Sequence, residues 1–223
     1  FQAEDGIRDF CLSRGLGDVY KRQGNDLKGG TLFGWDNPFG DGYIWKGFGD
    51  KKNHLKYRGE LKNGKPNGFG ILIYKDGRKY EGNWKNGIWN GRGKYTFNDG
   101  FGYEGEWKNG VENGMGILTY LNGDKYEGEF KNGEYINGRY VFKSGDVYDG
   151  NFKDGKYHGQ GILIIPNGNV YVGEFKNGNL HGYGTYTHSF SRKYLETSPN
   201  VINESYVGEW KYGKKYGKFC KTI

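Results

Sequence analysis

Cysteine, proline and long apolar runs are scarce in this chain of 223 residues. The two cysteines, Cys11 and Cys220, build no disulfide framework and fit a reducing compartment. Only four prolines and no strict Gly-X-Y triplet exclude collagen. No apolar stretch approaches the length of a bilayer-spanning helix. Helix-forming Ala and Leu are sparse. Against these absences stand 43 glycines, 20 tyrosines, 14 phenylalanines and 6 tryptophans. Aromatics are what disordered chains lack, so a flexible glycine linker is excluded. Glycine and aromatics in such excess point to many turns and short strands. The formal charge of +7 by itself suggests acidic partners.

Residues 1–23 share nothing with the rest. The stretches Gln2–Asp9 (QAEDGIRD) and Ser13–Gln23 (SRGLGDVYKRQ) resemble translations of two common sequencing-library adapters. They lie in one frame with Phe10, Cys11 and Leu12 between them, a gap the size of a sample index. The segment is therefore expected to be an adapter artefact with no structural role. On that reading Cys11 drops out, and any signal, anchor or catalytic domain upstream of Gly24 is beyond view.

Self-similarity dominates the remainder. Tyr57, Tyr80, Tyr103, Tyr126, Tyr148, Tyr171 and Tyr206 each open a Tyr-x-Gly-x-aromatic-like unit, at intervals of 23, 23, 23, 22, 23 and 35 residues. In the third unit, YEGEWKNGVENGMGILTYLNGDK, alternation sends Tyr103, Gly105 and Trp107 to one face and Glu104, Glu106 and Lys108 to the other. Asn109-Gly110 supplies the positive φ values of a tight hairpin turn. Asn63-Gly64, Asn86-Gly87, Asn132-Gly133, Asp154-Gly155 and Asn177-Gly178 match it. A second strand follows from Gly116, and Asn122-Gly123 turns the chain into the next unit. Glycine inside a strand weakens it unless a bulky ring needs the room. Gly59, Gly82, Gly105, Gly128, Gly150, Gly173 and Gly208 therefore read as seats for rings of neighbouring strands.

These seven units closely resemble the membrane occupation and recognition nexus (MORN) family, over about three quarters of the chain. The expected fold is all-β: an elongated single-layer antiparallel meander of repeated hairpins, with one aromatic-rich face. Residues 57–223 form the repeats, with an insertion at 189–205, and residues 24–56 form a degenerate N-terminal repeat or cap. Gly47-Phe48-Gly49 reads as a second strand leading into Tyr57. Leu61 replaces the aromatic of the first unit. The fourth is one residue short, with Gly138 as its second-strand glycine after a tightened turn. The seventh has Tyr212-Gly213 at its turn and Phe219 where glycine is usual.

Three surface features are candidates for function. Trp84, Trp107, Phe130, Phe152, Phe175 and Trp210 recur at one position, and Tyr74, Phe97, Tyr120 and Phe142 at another. Together they read as an aromatic groove left open by a single-layer sheet, the favoured contact for a protein partner or a second copy. Lys62, Lys85, Lys108, Lys131, Lys153, Lys176 and Lys211 form a ladder. It reads as acidic-lipid contact or as solvated strand ends. Residues 57–205 hold 19 basic against 17 acidic side chains, which favours the solvated reading. The C-terminal end differs: Lys211, Lys214, Lys215, Lys218 and Lys221 face only Glu209 in residues 206–223. That end reads equally as a patch for acidic membrane phospholipids, in keeping with a family often linked with membranes, or as protection of a sheet edge.

Catalysis is not expected. His158 and His181 belong to the repeat, His54 and His188 have no partner at metal-ligand spacing, and Cys220 lacks a base. The glycines follow the hairpin period and not a strand–GxGxxG–helix unit. No cofactor is expected, and no nucleic-acid module motif is present. Resemblance to accessory modules of lipid kinases and SET-type methyltransferases leaves any catalytic domain upstream of Gly24. The reading is a scaffold, cytoplasmic or peripheral to a membrane.

Overall fold

The computed structural model describes residues 29–36, 43–50, 54–189 and 204–222. The adapter-like residues 1–23 and most of the 189–205 insertion lie outside them. The seven units supply seven hairpins: β3 (Leu55–Lys62) with β4 (Lys65–Ile73), β5 (Lys79–Lys85) with β6 (Ile88–Thr96), and β7 (Gly102–Lys108) with β8 (Val111–Thr119). Next come β9 (Lys125–Lys131) with β10 (Glu134–Val141), β11 (Val147–Lys153) with β12 (Lys156–Ile164), and β13 (Val170–Lys176) with β14 (Asn179–His188). The last is β15 (Glu204–Lys211) with β16 (Lys214–Thr222). From β4 onward each strand pairs antiparallel with its predecessor, giving one open sheet without a helix among the described residues.

The N-terminal end departs from the expected meander. Beside β3 lies β1 (Gly29–Asp36), with Gly30 opposite Gly59 and Leu32 opposite Tyr57. Beyond it, at the edge, lies β2 (Tyr43–Lys46). Gly47-Phe48-Gly49 is not a strand, and Phe48 is exposed. The place expected for it belongs to β1, because Gly30-x-Leu32 provides the glycine and the apolar residue that face Gly59 and Tyr57.

Both central residues of each first turn have positive φ, as in Asn109 (53°) and Gly110 (83°). This pairing suits the right-handed twist of the flanking strands. The seventh turn keeps the geometry with Tyr212 at 52°, where a side chain costs roughly 1–2 kcal/mol. The fourth unit also keeps its turn, at Asn132 and Gly133. Its missing residue comes out of the second-strand irregularity between Tyr135 and Asn137, so the turn is not tightened.

Glycine faces glycine within hairpins, as in Gly105–Gly116, and between them, as in Gly93–Gly105 and Gly116–Gly128. One line of glycines thus crosses the sheet. Over each hairpin's pair lies the repeat's own tyrosine, not a ring from a distant unit. The second-strand glycine is the seat: a Cβ on Gly116 would meet Cε2 and Cζ of Tyr103 at 2.5 Å. The first-strand glycine lets the backbones close up, since a Cβ on Gly105 would lie 2.5 Å from Gly116 Cα and 2.6 Å from the Met115 carbonyl oxygen.

The ladder shifts register just after the first-strand glycine, between Gly82 and Trp84 and between Gly105 and Trp107. Carbonyls at this bulge accept the buried hydroxyls. Tyr57 donates to Glu60 (2.7 Å), Tyr80 to Asn83 (2.9 Å), Tyr103 to Glu106 (2.9 Å) and Tyr148 to Asn151 (2.8 Å). Tyr126 and Tyr171 do the same to Glu129 and Glu174. Each such bond contributes about 0.5–1.5 kcal/mol net. Tyr103 also meets Trp107 of its own unit and Phe130 of the next edge-on, both at 4.9 Å and 86°. This zigzag continues from Tyr57–Trp84 to Tyr171–Trp210, at about 0.5–1.5 kcal/mol per pair beyond burial. Ion pairs such as Lys94–Glu104 (2.8 Å) are solvent-exposed and contribute little. The aromatic column is the core.

Two expectations follow. Gly105→Val should destabilise the array by on the order of 1–3 kcal/mol through overpacking. Glu104→Val, on the opposite face, should cost far less, as read by urea unfolding; equal costs would contradict the face assignment. Burial, the largest cause, raises the tyrosine pKa from an ordinary 10.0 to about 12 for Tyr126 and Tyr171, and upward for Tyr80, Tyr103 and Tyr148. Raised values mean that the fold disfavours tyrosinate. This contribution is full below pH 10 and is lost as pH rises towards 12. An alkaline titration should show the tyrosinate absorbance of these residues rising together with loss of β-sheet circular dichroism. Their ionisation in a fully retained sheet below pH 11 would contradict it.

Candidate functional site

The two faces of the sheet differ in chemistry. The back face carries ordinary alternation, with Glu81, Lys94, Glu104, Ile117 and Glu127 side by side in neighbouring strands. The front face carries the aromatic column, and the candidate groove residues divide there. Trp84, Trp107, Phe130, Phe152, Phe175 and Trp210 are 2–7% exposed and form the core itself. Their inward position follows from the bulge: Trp84, Trp107 and Trp210 donate Nε1 to the carbonyls of Gly70 (3.2 Å), Gly93 (3.0 Å) and Gly184 (3.3 Å). Tyr74, Phe97, Tyr120 and Phe142 are half-buried and lie at the turns that link one unit to the next.

A further row was missed by sequence reasoning. Pro66, Trp89, Glu112, Tyr135, Tyr157, Leu180 and Lys215 stand two residues after each first turn, opposite the inner-row residue. Where they are aromatic they cover the buried tyrosine of their own unit. Trp89 stacks on Tyr80 (4.3 Å, 5°) and Tyr157 on Tyr148 (3.7 Å, 13°), while Tyr135 tilts on Tyr126 (4.3 Å, 30°). The signal available was fixed spacing from Asn-Gly. It was hidden because residue type varies from unit to unit.

The linking turns are stitched to the next unit by polar contacts that hold the outer rings. Arg78 donates to the Tyr95 hydroxyl (3.0 Å), and Asn169 to that of Tyr186 (3.0 Å). Tyr140 donates to Asp124 (3.0 Å), which also accepts the Lys143 amide (2.8 Å) and the Asn122 side chain (2.9 Å). The Lys143 amide above all holds the Asp124 carboxyl below the usual carboxylate range. Between these stitches lies an open hollow of about 360 Å³, lined by Tyr120, Tyr135, Tyr140, Phe142, Phe152 and Tyr157 with Lys156.

The ladder lysines are exposed at strand ends, each beside a first turn. The C-terminal five divide between faces. Lys215 and Lys221 lie on the front face, with the Lys215 ammonium 3.2 Å from the Tyr206 ring centre and Lys221 paired to Glu204 at 2.6 Å. Lys214 and Lys218 are exposed on the other face, and Lys211 approaches Tyr216 there at 5.0 Å. Tyr206 turns to Glu204 (2.8 Å) because the Phe219 ring occupies its glycine seat. Among the described residues no group of three or more His, Cys, Asp or Glu is placed to hold a metal, and no helix is long and apolar enough to cross a membrane.

The family model for the MORN repeat matches residues 57–77, 80–101, 103–125, 126–135, 148–170, 171–189 and 206–218. These matches begin at the seven tyrosines of the repeat and cover more than half of the chain. A search of curated proteins finds no match.

The division between core and surface rings has a direct check. Trp107→Ala should destabilise the array by about 3–5 kcal/mol, the usual cost of deleting a buried aromatic. Phe97→Ala should cost about 1 kcal/mol or less. Similar losses in chemical denaturation would refute the assignment of inner and outer rows.

Proposed function

This chain belongs to the MORN repeat family, and from that premise we propose that it is a non-catalytic scaffold. It binds a protein partner, or a second copy of itself, along the aromatic face of the sheet. MORN repeats are generally non-enzymatic protein or membrane-lipid interaction modules. The observation that carries the reading is the outer layer of half-buried rings: Tyr74, Trp89, Tyr95, Tyr120, Tyr135, Tyr140 and Tyr157. Contiguous aromatic surface of this kind marks a contact site, and Tyr and Trp supply large contact area with few rotatable bonds. The inner row acts through rigidity, by fixing where the outer rings stand.

A second reading has its own observation. Lys211, Lys214 and Lys218 hold no ion pair among the described residues, with exposed Tyr212 and Tyr216 beside them. Such lysines gain about 1 kcal/mol each near an anionic surface, so acidic phospholipids are the alternative partner. The central units are close to charge balance, and their ladder is quiet beyond a Debye length of about 8 Å. Cytoplasmic and peripheral-membrane locations suit these readings.

Two assays separate the readings. With a photo-crosslinking amino acid at Phe97 or Tyr120 in living cells, adducts should form at these positions and not at Glu104 on the back face. Equal adducts from both faces would overturn the groove reading. In co-sedimentation with anionic vesicles, lipid attachment predicts loss of binding when Lys211, Lys214 and Lys218 become Gln. It predicts no loss when Lys85, Lys108, Lys131 and Lys153 do. No vesicle binding by the unaltered chain at low salt would remove the lipid reading.

A further inference from the structure

The hollow across the third to sixth units has a chemistry of its own. We propose that it is a docking slot for a proline-rich segment of a partner protein in the polyproline II conformation. The proposal rests on the protein-partner reading above and gives that partner a chemical class.

Six rings form the walls: Tyr120, Tyr135, Tyr140, Phe142, Phe152 and Tyr157. The polar groups they present are hydroxyls, with the Lys156 ammonium beside them. The hydroxyls of Tyr135 and Tyr157 make no hydrogen bond among the described residues, and the Lys156 ammonium makes no ion pair there. The carboxylates that act on the Tyr157 hydroxyl, Asp146 and Asp124, already accept from neighbours, Asp146 through one oxygen only. Asp146 accepts from Ser144 (2.5 Å), and Asp124 from Tyr140, Lys143 and Asn122. Neither belongs to the lining.

A slot whose side chains offer ring faces, a few hydroxyls and one ammonium, but no carboxylate or amide oxygen, discriminates among peptides. An ordinary extended segment brings one N–H per residue, more than the few hydroxyl oxygens can accept, and those left against ring faces are unsatisfied. A proline segment brings none. Its carbonyl oxygens meet the tyrosine hydroxyls and the positive Lys156, and its rings lie on aromatic faces. Polyproline II has no internal hydrogen bonds to break and is already formed in the free chain. A cationic guest, the other usual occupant of an aromatic cage, would meet the Lys156 ammonium.

The dimensions agree. The slot runs from linking-turn residues Tyr120 and Phe142 to first-turn residues Gly155 and Gly178, the length of a strand such as β11. Seven residues of strand span about 23 Å, which about seven residues of polyproline II cover at about 3.1 Å each.

Fluorescence anisotropy on the full chain tests the proposal. Labelled decapeptides of four kinds are compared: decaproline, an alanine–glutamine sequence, an alternating valine–threonine sequence and an acidic sequence. Decaproline should bind most tightly. Its affinity should fall at least tenfold in Tyr157→Ala, and severalfold in the Tyr135→Phe and Tyr157→Phe variants, which keep the rings and remove the donors. It should be unchanged in Tyr183→Ala, a control at an exposed position outside the slot. Thermal melts confirm that each variant is folded. Decaproline binding no better than the alanine–glutamine peptide, or indifferent to Tyr135 and Tyr157, overturns the proposal. Another class that binds through Tyr135 and Tyr157 also overturns it, while leaving the protein-partner reading in place. Binding by none of the four counts against both.

Discussion

A tyrosine laid flat over a pair of glycines is the constraint on which this sheet depends. A single layer has no second sheet or helix to bury its rings, so each unit must cover its own. That is possible only where two facing strands carry no side chain. Tyr103 fits over Gly105 and Gly116 because a Cβ on either would collide with the ring, its hydroxyl or the opposing backbone. The bulge after Gly105 exposes the Glu106 carbonyl that the hydroxyl needs, and it turns Trp107 inward to wedge beside the ring. The seventh unit shows what happens without the seat. Phe219 stands where the glycine would be, and Tyr206 is only half-buried and bonded to Glu204.

This division of labour separates architecture from recognition. Positions that repeat in type, the tyrosine, the glycines and the inner aromatic, are used up in holding the sheet together. Positions that repeat in place but vary in type cover the tyrosines where they are aromatic, and they meet solvent. Among these are Trp89, Glu112 and Tyr157, whereas Pro66 at the same place is fully buried. A carboxylate at Glu112, between Trp89 and Tyr135, gives one stretch of the face a polarity that its neighbours lack. A ligand running along the ribbon therefore meets a different surface at each unit, although the backbone is nearly the same.

The repeat boundaries and first turns were legible in the amino-acid sequence, because Tyr-x-Gly and Asn-Gly carry backbone requirements that few other residues meet. That the in-strand glycines make room was legible too, but the ring seat is the second-strand glycine, such as Gly116, and not Gly105 as expected. Which ring sits on which glycine was not legible, since alternation places Tyr103 and Trp107 on one face without showing the bulge between them. The same bulge explains why the inner row is core and not groove: Trp107 reaches the Gly93 carbonyl only because the register shifts. The N-terminal strands were misread for another reason. Gly47-Phe48-Gly49 imitates the second-strand pattern locally, whereas β1 earns its place beside β3 through Gly30 and Leu32, more than twenty residues before their partners.

The central claim is that the second-strand glycine exists for the tyrosine ring and not for backbone reasons. Gly116 tests it cleanly, because the nearest atoms a Cβ would meet all belong to Tyr103. The measurement is a double-mutant cycle in urea unfolding with Gly116→Ala, Tyr103→Leu and the pair. The account predicts that Gly116→Ala destabilises the array while the ring is present and is neutral or stabilising once the ring is gone. The coupling should be on the order of 1–3 kcal/mol, as for residues in direct contact. Additive effects within about 0.5 kcal/mol would contradict it.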